Sequence, residues 1–210
     1  MVQLYLLGGE NVIRRSAKEI NECAFEKAKL PLNILVFPWA RASFDLRYSK
    51  RKILCDYFIS LGAAKVDFVE YSEAPDDIAD KMAAANLVYL TGGLPSVLIE
   101  RLQKTGVDRM LKDFGGVIVG RSAGALALCK RCVTTLRRTA KPRLVEGLGL
   151  VDLTLKVHYT QEDDAALMKF SMREKIYAVP ERSALVWENG CFAKIGDAYL
   201  FVDGEKQLLG

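Results

Sequence analysis

Residues 116–124 read Gly116-Val117-Ile118-Val119-Gly120-Arg121-Ser122-Ala123-Gly124. Three β-branched apolar residues between glycines predict a short strand buried on both faces, and the small residues after Ser122 continue as a helix over residues 123–128. A buried strand that turns straight into a helix belongs to a parallel sheet with crossover helices. The same stretch contains Gly-x-Ser-x-Gly, expected by chance in about one chain in twenty at this glycine and serine content. At a strand-to-helix turn the small neighbours of Ser122 permit a strained backbone that lifts the hydroxyl above the sheet edge. The Ala123 N–H and the positive end of the helix then face the space beside it.

Reading outward, strand-length apolar runs alternate with amphipathic stretches. Strands are predicted at 2–7, 33–37, 66–71 and 87–90, and helices at 16–29, 46–61, 76–85 and from Pro95 to about residue 103. Beyond the elbow the pattern changes to short strands at 154–157, 176–179, 184–187, 191–195 and 199–202, with a helix at 163–172. Glu188-Asn189-Gly190 and Gly196-Asp197 read as hairpin turns. The expected architecture is a single α/β domain over residues 1–210. It is a three-layer, open, mostly parallel sheet with helices on both faces and a small antiparallel C-terminal edge.

Composition narrows the chemistry. A chain of 210 residues that is 50% apolar and 27% charged can build a core without disulfides or metals. Its one histidine, His158, excludes zinc sites built on several imidazoles, and no metal or cofactor is expected. Five scattered cysteines are not a disulfide framework and suit a reducing cytoplasm; Cys129-x-x-Cys132 lacks a second ligand pair and reads as two helix-end thiols. Residues 2–7 are too short for a signal peptide and lack a basic leader, and no apolar run reaches membrane-spanning length, so no membrane association is expected. The net charge of +4 is local: Lys130, Arg131, Arg137, Arg138, Lys141 and Arg143 lie in a stretch without an acid, and the rest of the chain is slightly acidic. That stretch has no aromatic residue for base stacking, so nucleic acid is not an expected partner.

A serine hydroxyl needs a base to become a nucleophile, and His158 is the sole imidazole available. It follows the strand 154–157, where it can project over the carboxyl ends of neighbouring strands, the usual ligand crevice of an open α/β sheet. A carboxylate should orient it. Glu181, after the strand 176–179 and Pro180, is favoured by topology, with Glu162, Asp163 and Asp164 as alternatives. Gly92-Gly93, ending another strand, is a candidate for close backbone approach to substrate: the Gly93 and Ala123 amides would form an oxyanion hole and Gly92 would contact substrate. Arg121 and the basic stretch are candidates for binding a substrate carboxylate, the bland alternative being a solvated loop. Gly8-Gly9 shares the ambiguity between turn and functional loop.

These features together resemble a known family. The Ser122 elbow, Gly92-Gly93, Gly147-Leu148-Gly149-Leu150 ahead of Val157-His158-Tyr159, and Pro180-Glu181-Arg182-Ser183-Ala184-Leu185 are similar to the serine peptidases related to dipeptidase E and cyanophycinase, which have a class I glutamine amidotransferase-like, flavodoxin-like fold. The resemblance implies a Ser122-His158-Glu181 triad and cleavage of small peptides next to aspartate. Two positions depart from the family pattern: Leu94-Pro95-Ser96 follows the double glycine where asparagine is common, and Arg137-Arg138 stands where the dipeptidase E branch has an aspartate. The expected partner is a small peptide or other small acyl substrate, and a homodimer is compatible with the sequence. The competing expectation is a non-catalytic ligand-binding or regulatory member of the same fold.

Overall fold

The computed structural model describes residues 2–41, 50–134 and 142–210. Its centre is a run of parallel strands. β1 (Gln3–Leu7), β2 (Asn33–Phe37), β3 (Lys65–Phe68), β4 (Leu87–Leu90) and β5 (Val117–Arg121) lie in the order β1-β5-β4-β2-β3. β1 and β5 are buried along their whole length, which is why they read as continuous apolar runs rather than alternating ones. Their side chains nevertheless alternate in destination. Leu4 and Leu6 enter one core cluster, while Tyr5 and Leu7 enter the other on the opposite face.

Helices cover both faces. Ile20 and Phe25 of α1 (Lys18–Lys27) and Leu54 and Phe58 of α2 (Arg51–Ser60) pack into one cluster. The other takes Ile78 of α3 (Pro75–Ala84), Leu98 of α4 (Pro95–Thr105), Leu111 of α5 (Val107–Asp113) and all the apolar residues of α6 (Ala123–Leu128). Pro75 and Pro95 each open a helix, where a missing N–H costs nothing. The expected α/β, flavodoxin-like three-layer arrangement is present. The expected helix over 46–61 is α2 in its described part, and residues 46–49 lie outside the described residues.

The C-terminal half departs from a single sheet. β10 (Ala184–Glu188) pairs antiparallel with β1 and carries β11 (Cys191–Ile195), forming the expected antiparallel edge. A second sheet forms beside the first, in the order β13-β12-β9-β8-β6-β7. Its strands are β6 (Cys129–Thr134), β7 (Arg143–Glu146), β8 (Val151–Val157), β9 (Ile176–Val179), β12 (Tyr199–Val202) and β13 (Glu205–Leu208). Leu155, Val157 and Val179 share the core cluster of α6. Tyr159, Ile176 and Phe201 pack instead on Leu167 of α7 (Asp164–Ser171).

Two expectations change here. Asn189 and Gly190 have φ of 53° and 82° and turn the β10–β11 hairpin. Gly196-Asp197 makes no hairpin: it carries the chain from β11 to β12 in the other sheet, where β12 finds partners in β9 and β13. The second hairpin turns instead at Asp203-Gly204, with φ of 51° and 80°. Its outer strand, Glu205–Leu208, has no apolar alternation to announce it. Cys129 caps the C-terminal end of α6, as expected, whereas Cys132 lies inside β6 away from any helix end; both are buried. Burial pushes both thiols up, Cys132 to about 11, and favours the neutral, unreactive form.

Candidate active site

β5 lies between β1 and β4, and its carboxyl end delivers Ser122 to the middle of the sheet edge. Ser122 has φ 53° and ψ −107°, a conformation an L-residue adopts only where surrounding structure imposes it. Its N–H donates to the Leu7 carbonyl at 3.0 Å, and its own carbonyl accepts from Leu126 N–H at 3.0 Å as α6 begins. The backbone is thus pinned on both sides of the turn, with the hydroxyl raised above the strand end.

His158 arrives from the second sheet, immediately after β8, and also has a positive φ of 52°. Its Nε2 is 2.6 Å from Ser122 Oγ, and its Nδ1 is 3.1 Å from Glu181 Oε1. With Nδ1–H donating to Glu181, the free lone pair at Nε2 faces the serine hydroxyl. The other acids considered have different partners. Asp163 pairs with Lys156 at 2.9 Å and Asp164 accepts from the Tyr159 hydroxyl at 2.6 Å, while Glu162 is exposed. Of these acids, the structure brings Glu181 to the imidazole.

A cleft of about 190 Å³ opens beside Ser122, lined by Gly93, Leu94, Ser96, Ala123, Lys156 and His158 among others. Gly93 is held by its neighbours' contact with Ala40: Leu94 N–H donates to the Ala40 carbonyl at 2.6 Å. A Cβ on Gly93 would stand 2.2 Å from that oxygen, so the close approach itself demands glycine. Gly92 backs onto Ser122 Cβ and Arg121 Nε.

Arg121 does not line this cleft. It is buried beside Gly92, with its guanidinium 6.0 Å from the centre of the Tyr89 ring. Lys50 lies near it: burial, then the Arg121 and Arg41 charges, hold the Lys50 ammonium below its ordinary pKa. Within the described part of the basic stretch, Lys130 pairs with Asp152 at 2.9 Å and Arg131 with Glu146 at 3.0 Å. Arg137, Arg138 and Lys141 lie outside the described residues.

The end of β1 is the feature sequence reasoning left undecided. The carbonyls of Leu7, Gly8 and Gly9 accept, in turn, the N–H groups of Ser122 at 3.0 Å, His158 at 2.9 Å and Arg182 at 3.0 Å. Gly8 N–H donates to the Ser183 carbonyl at 2.9 Å. A glycine pair after a buried strand was the available signal, but its partners are distant in sequence.

A serine on a strained strand-to-helix turn, an imidazole from a second chain segment and a carboxylate behind it define the class of the serine hydrolases of α/β fold. The family model of peptidase family S51 matches residues 26–195, and the chain belongs to that family. It is a serine peptidase by that membership. The uncharacterized peptidase Lmo0363 of Listeria monocytogenes is 24% identical over 139 residues, covering 60% of this chain and 68% of the relative. The uncharacterized peptidase PM1590 of Pasteurella multocida is 29% identical over 112 residues, 49% of this chain and 54% of that one. Among solved structures, a peptidase from an acI-B1 actinobacterium superposes with a TM-score of 0.73 at 19% identity, covering 100% of this chain and 94% of that one. A putative peptidase E protein from Listeria monocytogenes does so with a TM-score of 0.70 at 20% identity, covering 93% and 98%. At these identities the structures speak to the fold.

Proposed function

We propose that the chain hydrolyses small peptides through an acyl-enzyme formed on Ser122, with His158 as general base and acid and Glu181 orienting the imidazole. The observation that carries this reading is the continuous line from Ser122 Oγ to His158 Nε2 at 2.6 Å and from Nδ1 to Glu181 at 3.1 Å. As Ser122 attacks the peptide carbonyl, His158 Nε2 takes the hydroxyl proton and the carbonyl π electrons move onto oxygen. The amides of Ala123 and Gly93, both lining the cleft, hold that oxyanion. One such donor is typically worth about 10²- to 10³-fold in rate. The C–N bond then breaks and His158 gives its proton to the leaving amine. Water repeats the sequence on the ester and releases the acid and free Ser122.

An acidic residue beside the scissile bond is the finer part of the proposal. It is supported by the nearness of cations to Lys50: burial first, and then the Arg121 and Arg41 charges, hold its ammonium below the ordinary pKa, an environment that favours a nearby carboxylate. Gly92 would then contact substrate between that cluster and Ser122. We also read the protein as one domain working in the cytoplasm without nucleic acid. All five cysteines are free, which suits a reducing compartment.

A dipeptide library screened with wild type and Ser122→Ala tests the reaction. The expected result is hydrolysis by wild type alone, with acidic dipeptides leading; equal hydrolysis by Ser122→Ala overturns the assignment of the nucleophile.

A further inference from the structure

Gly9 carries no side chain, yet it lies against the two side chains that would activate Ser122. A Cβ built on it would stand 2.5 Å from His158 Cε1, 2.6 Å from His158 Nδ1 and 3.1 Å from Glu181 Cγ. The first two separations are shorter than any carbon tolerates, and the ring cannot yield without leaving the line between Ser122 and Glu181. The backbone does not itself require glycine at this point, because Gly9 is not among the glycines with positive φ. Space alone excludes a side chain, and His158 and Glu181 occupy that space.

The hydrogen bonds of the same loop reinforce the contact. Gly8 accepts from the His158 N–H and Gly9 from the Arg182 N–H, so the backbone that touches the imidazole also holds the chain on which Glu181 rides. Beyond it, Glu10 fixes the loop to the body of the sheet. Its carboxylate accepts from Asn21 of α1 at 3.3 Å and from the Tyr89 hydroxyl of β4 at 3.2 Å. His158 and Glu181 both come from the C-terminal half of the chain and meet over a loop of its first ten residues.

We propose that Gly9 is a positioning residue: the flat backbone platform against which the His158 ring and the Glu181 side chain are set at hydrogen-bond distance from each other and from Ser122. This rests on the triad reading above. It goes beyond it by assigning the loop after β1 a part in the rate.

The test uses Gly9→Ala, His158→Ala and the double variant, read by the rate of Ser122 modification by a fluorophosphonate probe and by NMR. A displacement of about 1 Å in a reacting group costs on the order of 10²-fold. Gly9→Ala should therefore slow modification about 10²-fold and flatten its pH profile to that of His158→Ala. In the His158→Ala background, where the added methyl has room, the same substitution should change the rate less than about twofold. Because the chain has one histidine, its ring resonances form a single set. They should move in Gly9→Ala and stay in place in a Lys112→Ala control, exposed on α5 at the opposite end of β5 from Ser122.

Wild-type modification and unmoved ring resonances in Gly9→Ala would overturn the proposal. So would an equal loss in both backgrounds, which marks general damage to the fold. If Gly9→Ala fails to fold, recovery of the fold in the double variant supports the contact and no recovery overturns it. If wild-type Ser122 is not modified at all, the triad reading fails, and the resonances still decide whether Gly9 sets the ring.

Discussion

Two double glycines flank the nucleophile strand, one at the end of β1 and one at the end of β4, and they look alike in the sequence. Their surroundings differ. Gly92-Gly93 lies on the β4 side, against Ser122, Arg121 and Ala40, and Gly93 borders the cleft. Gly8-Gly9 lies on the β1 side, against Pro180, His158 and Glu181. The first is proposed to meet a substrate; the second meets the groups proposed to act on Ser122. Identical dipeptides at equivalent strand ends acquire separate tasks because β1 neighbours β10 and the approach of the second sheet, whereas β4 neighbours β2 and the start of α4. What a glycine pair makes room for is decided by the element opposite.

That contrast can be broken at several points. The largest effect belongs to the centre both pairs serve: Ser122→Ala should lower turnover on the order of 10⁶-fold, with His158→Ala close to it, as in a well-studied serine protease. Steady-state hydrolysis of the best library peptide measures this. Glu181→Gln should cost less, about 10²-fold, since its side chain is 60% exposed and water can substitute for part of its charge. A loss as large as that of Ser122→Ala would show that the exposed carboxylate is closed over in the working enzyme.

The glycine pairs themselves sharpen the comparison. Gly92→Ala would place its Cβ 3.4 Å from Ser122 Cβ and 3.5 Å from Arg121 Nε, ordinary contact distances. Turnover should change by less than about tenfold, with the change in KM as the methyl enters the substrate side. Gly9→Ala should instead act on kcat. Reversal of that pattern would exchange the roles given to the two loops.

The smallest effect lies behind Gly9. The Tyr57 hydroxyl is bonded to Asn21 at 3.1 Å in the cluster around Glu10. Burial first, and the Glu10 charge next, push its pKa above the ordinary 10.0. The folded state thus holds the proton more tightly than the unfolded chain. This stabilisation is complete below pH 10.0 and is lost as the pH rises above it toward the folded value. Tyr57→Phe should cost about 1 kcal/mol at neutral pH through the lost hydrogen bond, and should lessen the alkaline decline. Urea unfolding at pH 7 and above pH 10 reads both.

Much of the fold was legible because the parallel strands are short and buried on both faces, so their apolar runs stand out from the helices between them. The antiparallel additions were less legible. Glu205–Leu208 is a largely exposed edge strand without apolar alternation, and α5 follows α4 through Gly106, with φ of 75°, beyond the helix expected from Pro95 to about residue 103. Ser122, His158 and Glu181 could be named from their strand ends and residue chemistry. Arg121, a candidate for binding a substrate carboxylate, lies on the Tyr89 side of β5, outside the lining of the cleft. The basic stretch read as a candidate carboxylate-binding segment or a solvated loop, yet Lys130 and Arg131 belong to β6 and pair with carboxylates of β8 and β7.

The sequence by itself determined the α/β class, the nucleophile turn and the single imidazole, since each follows from local periodicity, small-residue spacing or composition. Only the tertiary structure decided that the strands divide into two sheets, that Glu181 rather than its neighbours reaches His158, and that Gly9 lies beneath both. Glu181 reaches His158 across 23 residues, and Gly9 meets both across more than a hundred. There the space left by one missing side chain is filled by elements whose positions no local pattern encodes.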